Sequence, residues 1–203
     1  MNESDARPSA EGRTQAAARL APRIIAVVVG AAAVALAAQV AVRLPFTVVP
    51  LTLSPLAVLV VGGLLGAGGG AAALVLYLAA GAAGLPVFAG GAAGAIHLLG
   101  PTGGYLLAFP VAAAVTGRLS RSAGGPSADG PSGGATVARV LLACAAGMVV
   151  IHIGGVSQLA ILGGDPAAAF RVGFLPFFSN DLVKVGLAAL LILGLRPRLR
   201  AVR

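Results

Sequence analysis

Between Arg43 and Arg118 lie 74 residues without a single charged side chain. No water-facing surface is built from such a run. A bilayer is its natural solvent: a helix crosses the hydrocarbon core, about 30 Å thick, with about 20 apolar residues. In lipid every backbone N–H and C=O must be satisfied within the segment, which leaves helices or closed barrels. The alanine- and leucine-rich runs favour helices. Composition agrees, with 58% hydrophobic and 10% charged residues among 203 and a mean hydropathy of +0.98. An ordinary soluble domain carries about 25% charged residues, so a soluble globular enzyme and a disordered chain are both excluded.

The charge-free stretches give a span count. Residues 24–42 make the first span and residues 140–164 the fifth. The 74-residue stretch holds three more: Leu53 to Ala67, ended by Gly68-Gly69-Gly70; Ala71 to Gly84, ended by Leu85-Pro86; and Pro101 to Thr116. Phe174 to Leu195 makes the sixth, carrying Asp181 and Lys184. Five spans are the main alternative. The fold class expected is an all-α integral membrane bundle of six transmembrane helices, in one domain at 23–197. Residues 1–22 read as a cytoplasmic tail, about 118–138 as a flexible cytoplasmic loop and 198–203 as a basic cytoplasmic tail.

The chain has 14 Lys+Arg against 6 Asp+Glu. With six spans, eleven basic residues fall on one side: Arg7, Arg13, Arg19, Arg23, Arg118, Arg121, Arg139, Arg196, Arg198, Arg200 and Arg203. Arg43, Arg171 and Lys184 fall on the other. Basic loops stay in the cytoplasm, so a multi-pass protein of the cell membrane with both termini cytoplasmic is expected. The basic residues sit between apolar runs rather than in one patch, so they anchor the chain in the lipid bilayer and imply no nucleic acid. The N-terminal pattern of arginines, apolar run and small residues also resembles a signal peptide, but the run is long for one and further spans follow.

Little catalytic chemistry is on offer. The only lysine, Lys184, follows Val183, so no phosphate-binding Gly-x-x-x-x-Gly-Lys-[Ser/Thr] loop exists. Gly-x-Ser-x-Gly is absent too. Cys144 is the one cysteine. His97 falls in a loop and His152 within the fifth span. Each reads first as a polar contact inside the bundle, with a ligand contact open to His97. No catalytic residue, metal site or cofactor is implied, and any ATP-driven step belongs to a partner.

Two features point to ligand binding. Asp181 and Lys184 lie at i and i+3 on one helix face. Ser179 or Asn180 is expected to cap that helix, with Asp181 near its positive end. Ionisable residues in a span usually face the bundle interior or a cavity. The pair supplies an acceptor and a donor at fixed spacing, matching a small polar group that carries both N–H and C=O. An internal salt bridge without a ligand is the alternative. The second feature is the glycine-rich loop Leu85 to Tyr105, LPVFAGGAAGAIHLLGPTGGY, too apolar for a mere connector and suited to closing over a buried site. In the first span, Ala31 with Ala35 and Ala33 with Ala37 form small-xxx-small pairs that allow close helix packing.

VPLTL at 49–53, GLPVFAGG at 84–91, GPTGGYLLAF at 100–109 and DLVK at 181–184 together resemble the biotin-specific S component of energy-coupling-factor (ECF) vitamin transporters, the BioY family. The resemblance covers about residues 22–197. It implies a six-helix bundle with a substrate-capping loop, binding biotin in a pocket open to the outside, with no enzymatic activity. It implies that Asp181 and Lys184 bond a polar part of biotin. Tyr105, Gly103 and Gly104 would shape the pocket, Phe88, Gly90 and Gly91 would belong to the capping loop, and Thr52 would stand at the entry to the second helix. The faces of Ala31, Ala35, Ala33 and Ala37 would dock the transmembrane coupling subunit, which works with an ATPase pair and topples the bundle in the membrane. A homo-oligomer is the alternative where no such module is present. Three departures stand out: Ser54 where the family often has Gln, Ser179-Asn180 where it often has Pro-Gly, and Ala92 and Ala93 at common glycine positions. An S component for another small vitamin or precursor is the nearest competing reading. An intramembrane enzyme and a ligand-free scaffold lie further off.

Overall fold

The computed structural model describes residues 10–121 and 133–201. The tail and loop readings on residues 1–9, 122–132 and 202–203 lie outside the described residues. The elements are α1 (Ala10–Gln39), β1 (Ala41–Val42), β2 (Leu51–Thr52), α2 (Ser54–Ala82), α3 (Ile96–Leu99), α4 (Gly103–Arg121), α5 (Gly133–Gly163), α6 (Pro166–Gly173) and α7 (Phe178–Ala201), with a 3-10 turn at Ala89–Gly91. The fold is all-α but for one short antiparallel pair, in which Ala41 faces Thr52 and Val42 faces Leu51. Among the described residues four helices are long and apolar enough to cross a membrane: Leu20–Gln39, Ser54–Ala82, Thr136–Gly163 and Phe178–Pro197. The chain is a multi-pass membrane protein.

Each long helix buries one stripe and offers the rest to lipid. On α1, Ala31, Val34 and Ala38 are buried at helical spacing, while Ile24, Ile25, Val28, Val29 and Leu36 are exposed. The Ala31–Ala35 pair therefore packs into the chain's own core. Of the four alanines expected to dock a partner, Ala31 is turned inward and Ala35 is half-buried. Ala33 is exposed and Ala37 half-buried.

α2 opens on Ser54-Pro55, with proline in the first turn, where its missing N–H costs nothing. It then reverses at Gly66, whose φ of 80° and ψ of 179° suit glycine alone. A Cβ placed on Gly70 would lie 2.8 Å from the Cα of Gly62, whereas eight residues of straight helix separate two positions by about 12 Å. The two arms of α2 thus run back against each other. The break expected at Gly68-Gly69-Gly70 comes earlier, because neighbouring helices supply partners for the freed carbonyls there. Arg121 donates to the Leu64 carbonyl (3.0 Å) and Arg196 to the Gly63 carbonyl (2.9 Å).

α4 packs most extensively against α2 and α5. Small residues let the backbones touch. A side chain at Gly62 would strike the Ala113 backbone, and one at Gly104 would strike the backbone of Gly154. The α6 helix is capped by Asp165, whose Oδ1 accepts the N–H groups of Ala167 (2.9 Å) and Ala168 (3.1 Å). It is followed by a turn at residues 174–177 that leads into α7.

A candidate ligand-binding cavity

At the end of the bundle away from Gly66, a cavity of about 570 Å³ opens between the α1–α2 connection, the segment leading to α4, and the helices α4, α5 and α7. Its size falls in the range of small-molecule sites, about 300–1,000 Å³. The wall is mainly apolar and aromatic, with Tyr77, Phe88 and Phe109 in one contiguous set. Tyr77 meets Phe88 edge-on at 5.6 Å and stacks on Phe109 at 6.4 Å.

Into this wall three polar side chains project together. Lys184 Nζ donates to Asp181 Oδ1 at 2.8 Å, and His152 Nε2 lies 2.7 Å from Asp181 Oδ2. All three residues line the cavity and all three are buried. An ionised carboxylate only accepts, so the His152 Nε2–H is the donor. His152 Nδ1 has no hydrogen-bond partner among the described residues. The ring is held edge-on by Phe174 at 4.9 Å and by Tyr105 at 6.2 Å. Burying an unpaired charge is costly, and pairing with further hydrogen bonds offsets that cost. Asp181 has both: a cation on one oxygen and an imidazole on the other. Bonding capacity remains, since Lys184 has three N–H groups and the carboxylate about four lone-pair sites. The site therefore presents donors and acceptors side by side, with no net charge of its own while His152 is neutral.

Helix α7 begins at Phe178, and the Asp181 N–H donates to the Phe177 carbonyl at 2.8 Å. Ser179 and Asn180 thus lie inside the first turn rather than capping it. Asp181 still stands in that turn, near the positive end of the helix.

The BioY family model matches residues 9–201. The chain belongs to the BioY family. It is similar to the biotin transporter BioY of Thermotoga maritima, 37% identical over 155 residues, covering 76% of this chain and 85% of the relative. It is equally similar to the probable biotin transporter BioY of Pyrococcus horikoshii, 37% identical over 143 residues, covering 70% and 78%. The BioY of Rhizobium etli, a biotin transporter, is 36% identical over 150 residues, covering 74% and 79%. The fold of this chain is similar to that in the crystal structure of the S component for biotin from an ECF-type ABC transporter, with a TM-score of 0.75, 24% identity, and coverage of 88% of this chain and 93% of that one.

In this BioY-family chain Asp181, Lys184, Tyr105, Thr52, Phe88 and Gly90 all line the cavity, as do His97 and Ser54. Tyr105 is fixed by its hydroxyl, which donates to the Gly173 carbonyl at 2.7 Å. Its ring lies over Gly155, where any side chain would collide with it. Phe88 seats its ring against Gly81 in the same way. Gly103, Gly104 and Gly91 do not line the cavity. Gly103 meets the Leu98 carbonyl and Gln158, and Gly104 meets the α5 backbone. The small size of Gly103 and Gly104 sets how closely α4 approaches its neighbours. The sequence marked His152 only as a polar contact inside the bundle, without its partner, and did not mark Gln158. His152 looks like any lone histidine in an apolar span, and its partner is 29 positions away. Gln158 donates to the Gly100 and Leu98 carbonyls at 2.7 and 3.1 Å, pinning the segment before α4 to α5.

Proposed function

We propose that this chain is a membrane-embedded biotin-binding S component, which captures extracellular biotin for uptake and is not an enzyme. The observation that carries the reading is the buried Lys184–Asp181–His152 set in the wall of an apolar cavity of ligand size. Biotin carries two ureido N–H donors, one ureido C=O, an apolar thioether ring and a carboxylate tail. Asp181 accepts from an N–H and Lys184 donates to the C=O. Tyr77, Phe88 and Phe109 face the thioether ring. The ureido end goes to this buried site because a carboxylate there would meet the charge of Asp181. Excluding water from the apolar wall strengthens each polar contact.

The architecture we assign is a six-helix bundle. The reversal at Gly66 makes two crossings of α2, and α4 joins α1, α5 and α7 to bring the number to six. An even count keeps both termini on the side of the eleven basic residues, the cytoplasm. Residues 23–197 form the binding domain, with cytoplasmic segments before, after and near 118–138. Lacking a phosphate-binding loop, the chain depends on a coupling subunit and an ATPase pair. Ala33, Ala35 and Ala37 on α1 remain for docking that subunit, beside apolar side chains that otherwise meet lipid.

The test is calorimetric or radiolabelled biotin binding to purified protein in detergent. The wild type binds, Asp181→Asn weakens binding by at least about a hundredfold through loss of a charge-assisted contact, and Lys184→Ala does likewise. Folded wild-type protein that ignores biotin overturns the reading, as do two folded variants that bind it like the wild type.

A further inference from the structure

The geometry points to Arg43 as the group that recognises the carboxylate tail of the ligand at the mouth of the cavity, an inference that rests on the biotin reading above. Arg43 and Lys184 are the lysine and arginine residues lining the cavity among the described residues. They differ in what already holds them. Lys184 is buried, and Asp181 neutralises it at 2.8 Å. Arg43 is exposed at the opening, and none of the ion pairs or hydrogen bonds among the described residues involves it. A ligand with a neutral polar head at the Asp181 site leaves its anionic end to meet the cation at the mouth.

The backbone that carries Arg43 is built rather than loose. Arg43 directly follows β1, whose Val42 is paired with Leu51. Further along the same connection, the Thr47 hydroxyl donates to the Val172 carbonyl of α6 at 2.7 Å and accepts the Val49 N–H at 3.2 Å, with Val49 buried beneath. The backbone beside Arg43 is thus tied down, and a guanidinium fork matches a carboxylate. The consequence is selection for the free acid over ligands whose tail is capped as an amide, the form biotin takes when joined to a protein lysine.

Titration calorimetry with biotin and with biotinamide, its uncharged primary amide, tests this on the purified protein. The wild type binds biotin about fivefold more tightly than the amide, the size expected of an exposed charge pair. Arg43→Gln brings the two ligands within about twofold of each other by weakening biotin alone, and raised salt does the same to the wild type. Arg43→Glu reverses the preference. Wild-type protein that binds both ligands alike overturns the assignment of Arg43, as does an Arg43→Gln protein that weakens both ligands equally or neither. Wild-type protein that binds neither ligand overturns the biotin reading itself.

Discussion

The two ends of the bundle treat cations in opposite ways. At the cavity end Lys184 meets a carboxylate, and both partners keep bonding capacity that faces open space. At the Gly66 end, about 18 Å further along α7 by helical rise, Arg196 donates to the Gly63 carbonyl, the Ser120 carbonyl and the Ser120 hydroxyl, each at 2.9 Å. Arg121 donates to the Leu64 carbonyl beside it. The Gly63 and Leu64 carbonyls are ones left unpaired when α2 leaves helical geometry at Gly66, and the Ser120 carbonyl lies in the last turn of α4. A cation that satisfies bent backbone is holding the fold. A cation held by a carboxylate that also takes a second partner, beside a cavity, is holding a site.

That contrast can be broken by substitution. The largest effect is expected from Asp181→Ala, which strands the buried Lys184 without its counter-charge. Stability falls by about 3–5 kcal/mol, read as thermal unfolding in detergent, and biotin binding disappears. Next comes Arg196→Met, which frees the Gly63 and Ser120 carbonyls and costs about 1–3 kcal/mol for each group left unsatisfied. The affinity of the folded variant for biotin should stay within about twofold, less than half a kcal/mol, because Arg196 lies far from the ligand. If Arg196→Met weakened biotin as severely as Asp181→Ala, the two ends would not be separable. The smallest change is Tyr105→Phe, which removes only the bond to Gly173. It should lower stability by about 1 kcal/mol and leave biotin binding measurable by calorimetry.

Much of this was readable in the chain, and the reasons for the gaps are physical. The Asp181–Lys184 pair was legible because its two residues are one helical turn apart and stand out in an apolar run. Phe88 and Tyr105 were legible because aromatic residues in a glycine-rich apolar segment are unusual for a connector. His152 was not, since its role comes from α5 lying beside α7, and nothing local marks it. The position of the α2 reversal was also hidden. Gly66 and Gly68-Gly69-Gly70 are equally able to turn, and the choice is made by Arg121 and Arg196, which come from helices later in the chain. Nor did small-residue spacing on α1 say which alanines face inward. Burial of Ala31 with Val34 and Ala38 decides that, leaving Ala33 outward.

The reversal at Gly66 has a mechanical consequence. A turn made at a single residue contains no slack, so the two arms of α2 cannot slide past each other or swing apart without tearing their shared glycine seam. They behave as one stiff wedge, locked to α4 and α7 by arginines at its tip. Compliance is therefore left to the glycine-rich stretch around 89–95, where Gly90, Gly91 and Gly94 take positive φ, at the opposite end. Ligand can be admitted or released there while the wedge keeps its shape, and any larger excursion across the bilayer must carry the wedge as a rigid body.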